Sequence, residues 1–155
     1  MGHVHESIHV DAPVDVAWSI GRDANRIPEW NTTVASVKDV SGPLDVVGAS
    51  YTAVSKIVGR PLEVGWRVER VEPMRLGESV ATAPGGGSAR ARVAYEPDGT
   101  GTRSTIDVDY ELPGGFLGGV ADKVFAERAM ARDVRHSSEN FKALVEQEAA
   151  AVARR

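Results

Sequence analysis

Between Gly119 and Ala150 the chain carries no glycine and no proline, and Ala, Glu, Arg and Lys dominate. Those residues lose little freedom in a helix, whereas Gly and Pro would interrupt one. The spacing predicts one helix from about Phe116 or Gly118 to Ala150, some 30 residues and roughly 45 Å long at about 1.5 Å per residue. Its apolar stripe reads Val120, Val124, Ala131, Val134, Phe141, Leu144 and Val145, interrupted by Glu127 and Ser138. An amphipathic helix of this length needs an equally long apolar surface to cover. The residues from Ala149 to Arg155 fray.

The preceding segment offers that surface. Strand-like runs lie near 34–40, 48–58, 61–71, 76–82, 88–96 and 101–111. Turn signals separate them at 41–43, 59–61, 72–75, 84–87 and 98–101, and Pro113-Gly-Gly115 ends the series. Short connections imply antiparallel hairpins or a meander. Ala89, Ala91, Val93 and Tyr95 alternate with Arg90, Arg92 and Glu96, and Ile106, Val108 and Tyr110 alternate with Thr105, Asp107, Asp109 and Glu111. One face of the sheet is dry and the other wet.

At the other end, residues 4–10 alternate, with Val4, Glu6, Ile8 and Val10 on one face and His3, His5, Ser7 and His9 on the other. Pro13 suits the first turn of a short helix over 13–20. A second short helix over 23–29 has Asp23 as N-cap and ends near Ile27, because Pro28 disfavours helix at the residue before it. The fold class is α+β: a helix-grip layout in which a curved seven-stranded antiparallel sheet wraps the long C-terminal helix, with two short helices between the first two strands. The whole chain, 1–155, reads as one domain with an ordered core over about 3–148.

A helix laid into a curled sheet cannot fill the curl completely. Inward strand positions are often small (Ala49, Ala53, Ala89, Ala91), as are Ala131 and Ser138 on the helix. These residues leave an apolar void large enough for a ligand. The alternative is a core filled by Tyr51, Trp66, Tyr95, Tyr110 and Phe125.

The net charge of -4 argues against a nucleic-acid partner, which would need a clustered basic surface. With no cysteine, disulfides and thiolate metal sites are excluded. No signal region or run of about 18 apolar residues is present, so stable membrane insertion is not expected. A cytoplasmic location in a bacterium with a GC-rich genome fits this composition, as monomer or homodimer.

The segments Ile8-His-Val-Asp-Ala-Pro13, Val16-Ala-Trp18 and Asp23…Pro28-Glu-Trp30 resemble the opening of the START-like, Bet v 1-type superfamily (SRPBCC). Gly48, Gly59-Arg60, Glu72-Pro73, Gly101-Thr102 and Asp109-Tyr-Glu-Leu-Pro113-Gly-Gly are similar to its bacterial polyketide cyclase/dehydrase branch. The resemblance implies a hydrophobic cavity between sheet and C-terminal helix. It does not name a chemistry, because such cavities serve carriers, receptors and cyclases alike.

Candidate ligand-binding residues follow from phase. On the strands they are Tyr51, Trp66, Val93, Tyr95, Ile106, Val108 and Tyr110. Trp30 and the glycine-flanked pair Phe116 and Leu117 form a rim, and Val120, Val124 and Glu127 belong to the helix stripe. Glu6 or Glu127, placed in an apolar cavity, would have a raised pKa and could transfer protons. His3, His5 and His9 share the wet strand face, where no nearby carboxylate completes a metal-binding set, and His136 lies on the polar side of the helix with Arg132 and Asn140. No metal site is assigned. No Ser-His-Asp set or dinucleotide fingerprint is present either, so no catalytic residue and no cofactor is assigned. Three functions fit: a carrier of an apolar lipid, polyketide or aromatic molecule; a cyclase/dehydratase-type enzyme using a cavity carboxylate or tyrosine; and a toxin-like regulator binding a protein through the outer sheet face.

Overall fold

The computed structural model describes residues 1–116 and 120–155. Strand β1 (Gly2–Val10) leads into helix α1 (Val14–Gly21), a 3-10 turn (Ala24–Arg26) and the single-turn helix α2 (Ile27–Trp30). Six strands follow: β2 (Val34–Lys38), β3 (Ser50–Ile57), β4 (Arg60–Glu72), β5 (Leu76–Ala83), β6 (Gly87–Asp98) and β7 (Gly101–Glu111). The long helix α3 (Val120–Ala153) closes the chain.

The strands form one antiparallel sheet in the order β1-β7-β6-β5-β4-β3-β2. Hairpin connections make β2 to β7 neighbours in sequence order. Only β1 crosses, to pair with β7 along its whole length from Gly2↔Tyr110 to Val10↔Thr102. The β3–β4 turn places Val58 and Gly59 at positive φ, 49° and 77°. Two such residues make the hairpin turn whose twist matches the strands. Glycine adopts it freely, whereas β-branched Val58 is strained there.

Pro28 acts differently from the sequence expectation. Ile27 is helical at φ -53°, ψ -43°, and Pro28 opens α2 rather than stopping the helix before it. The missing N–H of proline falls in a first turn, where an amide would have no helical partner anyway. Buried Ile27 anchors the turn.

The buried side chains fall into three clusters instead of one continuous core. Val10, Ala17, Trp18, Tyr95, Phe141 and Val145 form the first. Ala24, Ile27, Val34, Leu44, Ala53 and Val68 form the second. Val4, Val108 and Tyr110 form the third, beneath Met130 and Val134 of α3. An ordinary domain of this size has one contiguous core. Here a cavity lies between the clusters.

Candidate functional site: a cavity between sheet and helix

The cavity has a volume of about 260 Å³ and touches all three clusters. Its sheet wall is built at inward positions of β3 to β7. Ala81, Ala89 and Ala91 stop short of the helix, and Val93, Ile106 and Val108 rise beside them. Tyr51, Trp66, Tyr95 and Tyr110 also line the space. These aromatics therefore border a void and do not fill it, and Phe125, the fifth member of the filled-core alternative, is 63% exposed.

The helix wall is Met130, Asp133, Val134, Ser137, Ser138 and Phe141. Val134, Ser138 and Phe141 of the expected stripe line the cavity, Ala131 packs with the third cluster instead, and the stripe's first turns do not reach the cavity. Val124 is 44% exposed, and Glu127 is exposed and faces a smaller recess with Gly2, Tyr110 and Pro113. Glu127 is in helical phase with Val134 and Phe141. The first turns of α3, however, lie beside the ends of β1 and β7, so correct phase leads to the rim instead of the cavity. Glu6 is half-buried on β1 and does not line the cavity. Phe116 is not in the lining; Arg60 stacks over its ring at 5.2 Å, joining it to the β3–β4 hairpin. Leu117 and the side chain of Val120 lie outside the described residues.

Trp30 lines the cavity and meets Phe141 edge-on, with ring centroids 5.3 Å apart. Hydrogen bonds with α3 hold its loop, among them the Thr32 amide donating to Ser137 Oγ at 3.0 Å and Asn140 Nδ2 donating to the Trp30 carbonyl at 3.3 Å. The Trp30 indole N–H is buried and meets no acceptor among the described residues. A buried donor left unpaired destabilises by about 1–3 kcal/mol.

One residue absent from the sequence reading dominates the electrostatics. Arg22, just after α1, turns its guanidinium into the cavity. Its Nε and Nη2 donate to the Leu44 carbonyl at 2.9 and 2.6 Å, and its plane lies 5.5 Å from the Trp18 ring. The Asp45 carboxylate acts on it through space without an ion pair. Burial lowers the Arg22 pKa from its ordinary value, opposed by Tyr95, Tyr51 and Asp45. The same burial raises the Tyr51 pKa and pushes that of Tyr95 up to about 12, so both phenols stay protonated at neutral pH.

Two glycines make room for this group. A Cβ on Gly77 would stand 2.5 Å from Arg22 Nη1, and one on Gly21 would stand 2.7 Å from the Tyr95 hydroxyl. Neither glycine has a positive φ, so each is required for space and not for backbone freedom. A lone glycine inside a strand marks close approach. Gly77 in β5 is the signal that points to Arg22.

The outer sheet face is built from charge. The β1–β7 register sets His3 against Asp109 and His5 against Asp107, each with a 2.7 Å contact. His9 reaches Asp98 at 2.8 Å. Each histidine thus has a carboxylate that sequence proximity did not offer. No group of three or more such residues among those described is arranged to hold a metal. His136 is exposed. Arg90–Glu69 and Arg70–Glu72 pairs cover the middle strands, so the face is ionic where a protein-docking reading needs an apolar patch.

The model of the family described as polyketide cyclase / dehydrase and lipid transport matches residues 1–146. The chain belongs to this family. Its START-like membership brings the helix-grip architecture seen above. A START superfamily protein from Mycobacterium smegmatis superposes with a TM-score of 0.76 at 16% identity, covering 95% of this chain and 99% of that one. A Thermus thermophilus protein gives 0.75 at 18%, covering 92% and 96%. A protein of the dynemicin biosynthetic locus gives 0.67 at 18%, covering 96% of this chain and 49% of that one. At these identities the likeness establishes the fold. No curated protein matches the chain. No helix among the described residues is long and apolar enough to cross a membrane.

Proposed function

We propose that the protein binds and carries an apolar small molecule, a lipid, polyketide or aromatic compound, in the cavity between the sheet and α3. The observation that carries this reading is the unfilled space of about 260 Å³ at the junction of three core clusters. Lining atoms that face a void lose dispersion partners, and an apolar guest restores them. The family description, which includes lipid transport, supports the same reading. In this view Trp30, Tyr51, Trp66, Val93, Tyr95, Ile106, Val108 and Tyr110 contact the guest. The chain works as one unit over 1–155, in the bacterial cytoplasm, as monomer or homodimer.

Native mass spectrometry of freshly purified protein tests this. The expected result is a bound mass of a few hundred daltons that leaves under collisional activation. Ala91→Trp, which fills the middle of the cavity from β6, abolishes that mass while the far-ultraviolet circular dichroism is retained. A delipidated preparation that takes up neither fatty acids nor a neutral apolar dye overturns the proposal.

A cyclase-type role is the second reading, and one observation favours it. Arg22, Tyr51 and Tyr95 converge as donors able to polarise a carbonyl oxygen. Its test is incubation with a linear poly-β-ketone thioester. Cyclised product forming no faster than in buffer rejects it.

A further inference from the structure

Arg22 is the only cationic side chain among the described residues that line the cavity. No carboxylate pairs with it, although burying a charge without a partner is strongly unfavourable. Its Nε and Nη2 edge is occupied by the Leu44 carbonyl, which leaves Nη1 over Gly77 with no acceptor among the described residues. The Tyr51 and Tyr95 hydroxyls, close enough to feel the guanidinium, likewise have no hydrogen-bond partner among the described residues. These three donors therefore lack an acceptor, as does the Trp30 indole N–H.

The cavity's two carboxylates stand elsewhere. Asp133 is on α3 with Arg132 3.3 Å away, and Glu111 is exposed at the end of β7. Tyr95 pairs with Ser104 while Glu111 pairs with Ser88. At about 3.3 Å per residue, Glu111 is roughly 23 Å along β7 from the Ser104 level. The cavity is thus cationic and donor-rich at the Arg22 end, with exposed Glu111 at the far end of β7. A guanidinium edge suits a planar carboxylate, because both are flat and complementary in charge.

We infer that the guest is an amphipathic monocarboxylic acid, its carboxylate seated on Arg22 Nη1 and the tyrosine hydroxyls, and its hydrocarbon lying along Val93, Ile106 and Val108 toward Tyr110. This rests on the reading of the cavity as a small-molecule site. Arg22 selects the head group; the alanines and valines accept the tail without reading it. Gly77 is a positioning residue, since its bare Cα leaves the space in which Nη1 sits.

The test is displacement of Nile red, a neutral dye, by decanoate and by decan-1-ol at pH 7.4. The wild-type protein binds decanoate at least tenfold more tightly than the alcohol. Arg22→Met equalises the two affinities, chiefly by weakening decanoate. Gly77→Ala keeps the cation but displaces it, and it also removes most of the acid preference; it stands in if Arg22→Met does not fold. Equal affinity of acid and alcohol in the wild type overturns the inference and leaves the carrier reading intact. A preference that survives in every folded variant overturns it too. If neither dye nor alcohol enters the wild-type protein, the carrier reading fails and this inference falls with it.

Discussion

The two faces of the sheet treat arginine in opposite ways. On the outer face Arg90 lies 3.0 Å from Glu69 and Arg70 lies 2.8 Å from Glu72, all at least partly exposed. On the inner side Arg22 is half-buried against Trp18 and Gly77 and has a carbonyl where the others have a carboxylate. Outside, water screens each charge and the strand register supplies the counter-charge. Inside, neither is available, and the protein meets the cation with one carbonyl, an aromatic face and two protonated phenols. The difference teaches where selectivity resides. Outer charges keep the face wet and the strands aligned, while the inner charge is the one whose partner, in the proposed reading, comes from outside the chain.

The sharpest way to break this contrast is to remove the floor under Arg22. Trp18 is 6% exposed and meets Tyr95 edge-on at 6.0 Å. Trp18→Ala is expected to lower the unfolding free energy by about 3–5 kcal/mol, read from the urea midpoint. A loss under about 1 kcal/mol would mean that the inner end is not packed as described.

The next effect is alkaline. Burial pushes the Tyr95 pKa up to about 12 from an ordinary value of 10.0. The unfolded chain ionises first, so this contribution is full below pH 10 and is lost as the pH rises toward 12. The loss is on the order of 2–3 kcal/mol. Chemical denaturation at pH 9 and pH 11 reads about half of it, and Tyr95→Phe should flatten the slope. A slope unchanged by that substitution would assign the alkaline loss to other groups.

The smallest effect belongs to the outer face. Arg90→Ala should change stability by no more than about 1 kcal/mol, as exposed pairs do. It should also leave the preference for decanoate over decanol untouched. A larger loss, or a changed preference, would erase the distinction between the two faces.

Most of the architecture was legible because it rests on local rules. Strict alternation in β6 and β7 reports one dry face, and the uninterrupted helix formers after Gly119 report one long helix. Phase also located the strand residues of the cavity, since period two allows only two faces. Helical phase was less reliable. Glu127 points the right way around the axis, but phase does not say how far α3 runs beyond the sheet. Pro28 misled for a related reason: whether a proline stops or opens a helix depends on which turn it occupies. The ladder of His3, His5 and His9 with Asp109, Asp107 and Asp98 depends on placing β1 beside β7, which no local pattern encodes.

What the sequence determined by itself is the inventory: seven strands, two short helical pieces, one long helix, and too few large side chains to fill the space between them. These follow from periodicity, turn residues and volume, which are properties of neighbours along the chain. Only the tertiary structure decided that β1 closes on β7, that the void lies where three clusters meet, and that Arg22 turns inward at its end. Arg22 lies in a connection with no period to reveal its direction. Its orientation is set by Leu44, Gly77 and Tyr95, far away in sequence, and buried charge is governed by whatever surrounds it in space.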